Sequence, residues 1–480
     1  MWLVGTSVVL IIGLAIHQTL LRSVGPTSTN YVINELDVNR LTFPTALPIP
    51  ESKTKRQWST VFAAGKPIVF RSLLSRWAAI QKWSPKYLST KWTPIRVHTA
   101  DTNTVRMFST VQPFGRVPDL TWNASYEETI VPGTVFFNAT PQQTTQRHPW
   151  MYFFSPVEQL PQVLHSDFQR LEQLGTSIDS AGFWSGAPTV SSPLHYDAAH
   201  NVYCQIFGHK RFILFPPNAS NVLYVHSRLH PSTRSSFIDV RNVDAFRFPL
   251  FEHAMKNGSL SPMEVVLGPG DVLYIPPYYW HRASVVGSTM SMSLAVYSTS
   301  KMMNKYQVLK SYPVPIDTNW LWNRKVASLK TYICALATMW DTPTITATST
   351  AVVATTNCST HIIRLLEQRY APQSNDKKQR NVAIGWNDWI TKYQRYFQWT
   401  SKSVVVPVQV QQYLKGHVIK LKNLLLNDNN EVGSEKNDLI GQAMWSLETM
   451  NLIEDVVNYV LGTNYCEPFF RWVVGDLVLW

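Results

Sequence analysis

The sequence predicts an α+β protein, with a β-barrel or jelly roll in its middle and a mainly helical region after it. Three observations carry this. Between residues 183 and 299, short β-rich runs (NVYCQIFG, KRFILF, MEVVLGPGDVLYIPP, HRASVVG, MSMSLAVYS) alternate with Gly and Pro, the texture of a closed or sandwiched sheet. Beyond residue 301 the apolar residues switch to helical spacing (YQVLKSY, LWNRKVASLKTYICALATMW, HIIRLLEQRY, VQQYLKGHVIKLKNLLL, LIEDVVNYVLG). The chain has 480 residues, 45% hydrophobic and 15% charged, with 18 Trp and 20 Tyr. That is enough for a sizeable core and rich in the residues that line β-rich clefts.

In chain order, residues 2–21 (WLVGTSVVLIIGLAIHQTLL) form an uncharged run of about the length that spans a bilayer. No clear small-x-small cleavage site follows, which favours an uncleaved signal anchor at 1–21 over a cleaved signal peptide. A single-pass protein with its bulk in the secretory lumen is the expected topology. The sequons at Asn123, Asn138, Asn218, Asn257 and Asn357 agree with it but are near chance frequency. Residues 22–64 read as a stem or wrapping segment, and GKPIVFRSLLSRWAAIQKWSPKYLSTKW (65–92) as strand then helix. SPVEQLPQVLHSDFQRLEQLG (155–175) is expected to be helical. The core domain is set at 65–300 and the helical region at 301–480, interrupted by a Thr/Ser-rich loop at 341–360.

The net charge of +12 is scattered, with only KTKR (53–56) and DKKQR (376–380) as clusters. No nucleic-acid motif accompanies them, so nucleic acid is not the expected partner. The four cysteines lack C-x-x-C spacing and suggest no zinc site. Cys204 reads as core, and Cys334 could pair with Cys358 or Cys466 in an oxidising lumen.

SSPLHYDAAHNVYCQIFGHKRFILFPP (191–217) reads as two apolar strands around a Gly turn, yet carries polar residues that a plain hairpin does not need. On a strand, positions i and i+2 share a face, so His195 and Asp197 aim at one spot. A buried aspartate is costly unless paired or metal-bound. A histidine from a remote strand would complete two imidazoles and a carboxylate, the facial set suited to Fe(II). GPGDVLYIPPYYWHRA supplies His281. Each histidine alone more commonly belongs to a satisfied core, and H-x-D alone is a weak signal.

Taken together, HYD, Asn201, Gln205, G-x-K-R (208–211), ILFPP and GPGDVLYIPxxxWH resemble the JmjC/cupin-like 2-oxoglutarate oxygenases. They look closest to the small hydroxylase branch that includes the asparaginyl hydroxylase of hypoxia-inducible factor. The resemblance covers roughly 65–300 and implies a double-stranded β-helix (jelly-roll/cupin) core. It implies His195, Asp197 and His281 as Fe(II) ligands, and Lys210 and Ser192 as the grip on the distal carboxylate of the cosubstrate 2-oxoglutarate. Asn201 and an upstream tyrosine would contact the cosubstrate too; Tyr152 is the preferred match, ahead of Tyr196 and Tyr203. The chain departs from some hydroxylases of this branch near Ala295, where they carry a second asparagine.

The implied reaction is hydroxylation of a protein or peptide side chain. The alternatives are a lysine demethylase, disfavoured by the absence of a chromatin-reading module and by the expected anchor, a non-catalytic lumenal cupin-like interaction protein, or a cupin using Mn or Zn. The C-terminal helices would either form a homodimer or cover the substrate groove.

Overall fold

The computed structural model describes residues 46–52, 57–105, 126–139, 150–168, 174, 178–339, 365–366, 368–370, 405–426 and 439–478. The strands are β1 (Leu47–Pro48), β2 (Glu51–Ser52), β3 (Ile68–Phe70), β4 (Ile95–Ala100), β5 (Glu127–Val131), β6 (Trp150–Pro156) and β7 (Ser180–Gly186), then β8 (His195–Tyr196), β9 (His200–Phe207), β10 (His209–Phe215), β11 (Met263–Leu267), β12 (Val272–Ile275), β13 (Trp280–Val286) and β14 (Ser291–Ser298). They form two sheets: a five-stranded one, β1-β11-β10-β13-β8, and a nine-stranded one, β2-β3-β12-β9-β14-β7-β6-β4-β5. This is the jelly-roll core with a helical C-terminal region that the pattern predicted.

The turn at Gly208 is not that of a hairpin. β9 pairs with β12 and β14, whereas β10 pairs with β11 and β13, so the chain passes from one sheet to the other. Gly208 sits at φ 67°, and a Cβ there would lie 2.2 Å from the Met290 carbonyl oxygen. Only glycine fits. Gln205 ties the corner by donating to the carbonyls of Phe207 (2.7 Å) and Gly208 (3.0 Å). Because of this crossing, side chains of β9 and β10 face each other across the interior. Tyr203, Leu273, Ile275 and Ala295 from one sheet pack there against Phe212, Leu214, Leu267 and Ala283 from the other.

Each sheet is covered on its outer side. Val202, Cys204, Ile206 and Leu294 pack under N-terminal helices α1 (Trp58–Ala64), α2 (Ala78–Lys82) and α3 (Pro85–Lys91), with Trp58, Trp83 and Leu88 in the same cluster. Tyr196, Ile213, Phe215 and Trp280 on the smaller sheet share a cluster with residues of the helical region. After α4 (Gly133–Phe137), α5 (Gln162–His165) and α6 (Pro249–Lys256), that region contributes α7 (Lys301–Ser311), α8 (Trp322–Ala337), α9 (Val408–Leu426), α10 (Leu439–Leu461) and α11 (Thr463–Val478). Strands covered on both faces read as near-continuous apolar runs, which is why this stretch did not alternate cleanly.

The helix expected over 155–175 is broken. Strand β6 runs to Pro156, a 3₁₀ turn covers Val157–Gln159, and α5 begins only after Pro161. Two prolines five residues apart remove the amide donors that one continuous helix needs. The 65–92 expectation holds in outline, as β3 followed by α2 and α3, the last capped by the Ser84 hydroxyl. The loop at 341–360 lies outside the described residues. Cys466 is a free, buried thiol, so a Cys334–Cys466 bond is not made, and Cys358 lies outside the described residues.

Candidate metal centre

β8 and β13 are antiparallel neighbours with His195 directly opposite His281, and their rings lie 4.2 Å apart, centre to centre. Asp197 follows immediately after β8. One ligand atom from each of His195, Asp197 and His281 lies within 4.8 Å of the others. The 86-residue gap in sequence closes because Tyr278 donates its backbone N–H to the Asp197 carbonyl (2.7 Å) as the Pro276–Pro277 turn feeds β13.

Both imidazoles are oriented by their own backbone. His195 Nδ1 donates to the Pro193 carbonyl (2.9 Å) and His281 Nδ1 to the Tyr279 carbonyl (3.0 Å). With Nδ1 protonated, each Nε2 is left as the lone-pair nitrogen, the arrangement expected of metal-binding histidines. Burial, reinforced by neighbouring His195 and only partly offset by Asp197, lowers the His281 pKa to about 4. His281 is therefore neutral at physiological pH, and its 3.7 Å approach to Asp197 Oδ2 is not an ion pair there. Burial opposes ionisation of Asp197, but the two imidazoles, Arg234 and the Asn201 amide outweigh it and hold the carboxyl below its ordinary range. Asn201 Nδ2 donates to Asp197 Oδ2 at 3.3 Å. The Asp197 side chain is 28% exposed and that of His281 only 4%, so the cluster opens on the Asp197 side.

Lys210 faces the same interior. It is 1% exposed, and its Nζ donates to the Tyr203 hydroxyl (2.6 Å) with the Tyr152 ring 5.7 Å away. Burial lowers its pKa to about 7. Among the described residues no carboxylate pairs with it, which is unusual for a buried ammonium. On β10, Lys210 and Leu214 share a face, and Leu214 is the register partner of His281. Four residues of strand, roughly 13 Å of backbone, separate the Lys210 position from the Leu214 position opposite His281.

The other expected residues divide. Tyr152 on β6 reaches the Lys210 neighbourhood, and burial keeps its phenol protonated. Tyr203 touches Lys210 directly, which sequence reading had ranked lower. Tyr196 lies on the opposite face, packed on Tyr278 and Trp280, away from the interior. The Ser192 hydroxyl accepts the Ala283 N–H (3.0 Å), and its own proton remains to donate. Ala295 opposes Tyr203, whereas the β14 residue opposite Asn201 is Tyr297. Tyr297 was missed because register, not spacing, decides which residue meets Asn201. His226, outside the cluster, is buried and packs on Phe237.

The cupin-like domain family profile matches residues 54–302, just over half of the chain, and the chain belongs to that family. It is similar to lysine-specific demethylase JMJ31 of Arabidopsis thaliana, 24% identical over 289 residues (53% of this chain, 50% of that one). It is 39% identical over 109 residues to JmjC domain-containing protein D of Dictyostelium discoideum, 23% of each chain. It is 27% identical over 264 residues to tRNA wybutosine-synthesizing protein 4 of Gibberella zeae (53% of this chain, 24% of that one). Thus the chain spans about a quarter to a half of the length of these relatives. They support the cupin-like JmjC type of iron- and 2-oxoglutarate-dependent oxygenase, and do not specifically show the asparaginyl hydroxylase branch.

The expected single-pass, lumen-facing topology is corrected. Among the described residues no helix is long and apolar enough to cross a membrane, and the relatives matched are a JmjC domain-containing protein, a lysine-specific demethylase and a tRNA wybutosine-synthesizing protein. The run at 1–21 that prompted the expectation lies outside the described residues.

Proposed function

We propose that this chain is an Fe(II)- and 2-oxoglutarate-dependent oxygenase that hydroxylates a protein side chain, with its catalytic unit in residues 65–300. The observation that carries the reading is the pairing of two features in one barrel interior. A two-histidine, one-carboxylate cluster lies along the strands from a buried ammonium that has no carboxylate partner among the described residues. The donor set fits the metal: two imidazoles whose Nδ1 atoms are engaged by backbone carbonyls, leaving Nε2 to face the cluster, and one carboxylate form a facial triad that leaves other positions open.

His195, Asp197 and His281 would hold the iron; when bound with 2-oxoglutarate, it supplies the chemistry in which O₂ and the keto acid yield succinate and CO₂ while a substrate C–H becomes C–OH. The chain's own residues do the rest. Lys210 receives the distal carboxylate, a charge-assisted hydrogen bond contributing about 1.5–3 kcal/mol, and the protonated Tyr203 and Tyr152 phenols supply further donors. Asn201 orients the Asp197 carboxylate. The interior of Phe212, Leu214 and Ala283 excludes water, and the exposed side of Asp197 is where substrate enters.

The test is succinate release from 2-oxoglutarate by the full chain with Fe(II), stimulated by a peptide pool. Iron-dependent succinate that the peptides enhance is the expected result. No succinate, together with no thermal shift from N-oxalylglycine, would favour the non-catalytic cupin instead.

A second reading, N-methyl-lysine demethylation, is favoured by the relative of that name matched over 53% of this chain. Hydroxylation of an N-methyl group collapses to formaldehyde, so formaldehyde released in step with succinate identifies that reaction.

A further inference from the structure

The main chain at Tyr196–Asp197 is clamped from behind by two residues in left-handed backbone conformation. Tyr278 (φ 63°) donates its N–H to the Asp197 carbonyl at 2.7 Å, and the Arg234 carbonyl (φ 67°) accepts the Tyr196 N–H at 3.1 Å. Bulky residues hold such angles only where their surroundings over-determine them. For Tyr278 the surroundings include a distant helix: its hydroxyl donates to Glu448 Oε1 at 2.5 Å, 170 residues further along the chain. Its ring stacks on Tyr196, centroids 5.5 Å apart. Glu448 lies on α10, 2% exposed, and its second oxygen accepts Asn451 Nδ2 at 3.1 Å. The half-buried Arg234 has both Glu448 and Asp197 among the charges acting on it, along with the Tyr196 and Tyr278 hydroxyls.

A carboxylate is an uneconomical way to fill this interface. The neighbouring α10 residues Leu447, Met450 and Ile453 are buried and apolar, and an apolar residue of similar volume generally stabilises as well as a buried charge or better. What the carboxylate adds is direction, since a short charge-assisted bond fixes the Tyr278 ring and thereby its backbone. We propose that Glu448 is a positioning residue of the metal centre, acting through Tyr278 on the main chain that carries Asp197. The C-terminal helix is then part of the catalytic apparatus. This rests on the reading of His195, Asp197 and His281 as metal ligands.

The test is anaerobic titration of the full chain with Co(II), read by its visible absorption bands, beside a melting curve for each variant. Tyr278→Phe removes one oxygen from a stacked ring and is the variant best able to fold; Glu448→Gln is its companion. Loss of an outer partner weakens metal affinity by about 10–100-fold, so both variants should bind Co(II) at least about tenfold more weakly, with shifted bands. A purely structural role would lower the melting temperature and leave affinity and bands of the folded protein unchanged. Parent-like bands with affinity within about twofold in Tyr278→Phe would overturn the proposal, whatever Glu448→Gln does. A parent chain whose Co(II) bands survive Asp197→Ala would instead remove the metal-site reading, and this inference with it.

Discussion

Replacing Lys210 by methionine should make the protein more stable. The lysine is buried with a pKa near 7 instead of 10.5. Its folded pKa is depressed, so between those values the unfolded chain binds more protons than the folded one. Stability therefore rises with pH across that window, and the full penalty is present below pH 7. The gap of roughly 3.5 pH units makes the buried lysine cost on the order of 4 kcal/mol at pH 7, falling to about 1.5 kcal/mol at pH 9.5. Methionine fills a similar unbranched volume and forfeits the Tyr203 hydrogen bond, about 1 kcal/mol. Denaturant unfolding should thus show Lys210→Met more stable than the parent by about 3 kcal/mol at pH 7 and nearly equal at pH 9.5. The same variant should bind 2-oxoglutarate roughly 10–100-fold more weakly, the equivalent of the lost charge-assisted bond. A variant less stable at pH 7, or one whose difference does not change with pH, would refute the account of an uncompensated ammonium.

Binding of 2-oxoglutarate to the parent should weaken by up to about tenfold per pH unit above 7, because the dianion needs the protonated Lys210 and an unliganded pKa near 7 supplies less of it; calorimetric titrations from pH 6 to 9 would show a flat affinity if another group holds the carboxylate. Asp197→Ala should abolish iron-dependent turnover while circular dichroism and melting remain close to the parent, and full activity would refute the ligand assignment. Gly208→Ala should destabilise by roughly 2–3 kcal/mol through positive φ and the Met290 carbonyl contact; a melting temperature equal to the parent's would mean the corner between sheets relaxes freely.

Much of the site was legible in the sequence because strand geometry is local. The i, i+2 rule puts His195 and Asp197 on one face before any fold is known, and GPGDVLYIPPYYWH marks a strand and turn that deliver His281. Lys210 came from motif resemblance, not spacing. What spacing could not give is which strands pair. The Gly208 corner looks like a hairpin until β9 and β10 are seen in separate sheets, and that crossing brings Tyr203 onto Lys210. Register likewise decides that Tyr297 opposes Asn201. Apolar periodicity over 155–175 overrode two prolines that break the helix. Glu448 left no sequence signal, since within LETMNLIEDVVNY its carboxylate resembles any on an amphipathic helix. Its burial is a property of the packed interface alone.

The most direct measurement is an anaerobic crystal structure of the full chain with Fe(II) and 2-oxoglutarate. The account requires density for one metal bonded to His195 Nε2, a carboxylate oxygen of Asp197 and His281 Nε2, with Lys210 Nζ on the far carboxylate of the diacid. Metal bound elsewhere, or a diacid whose far end meets no ammonium, would contradict it.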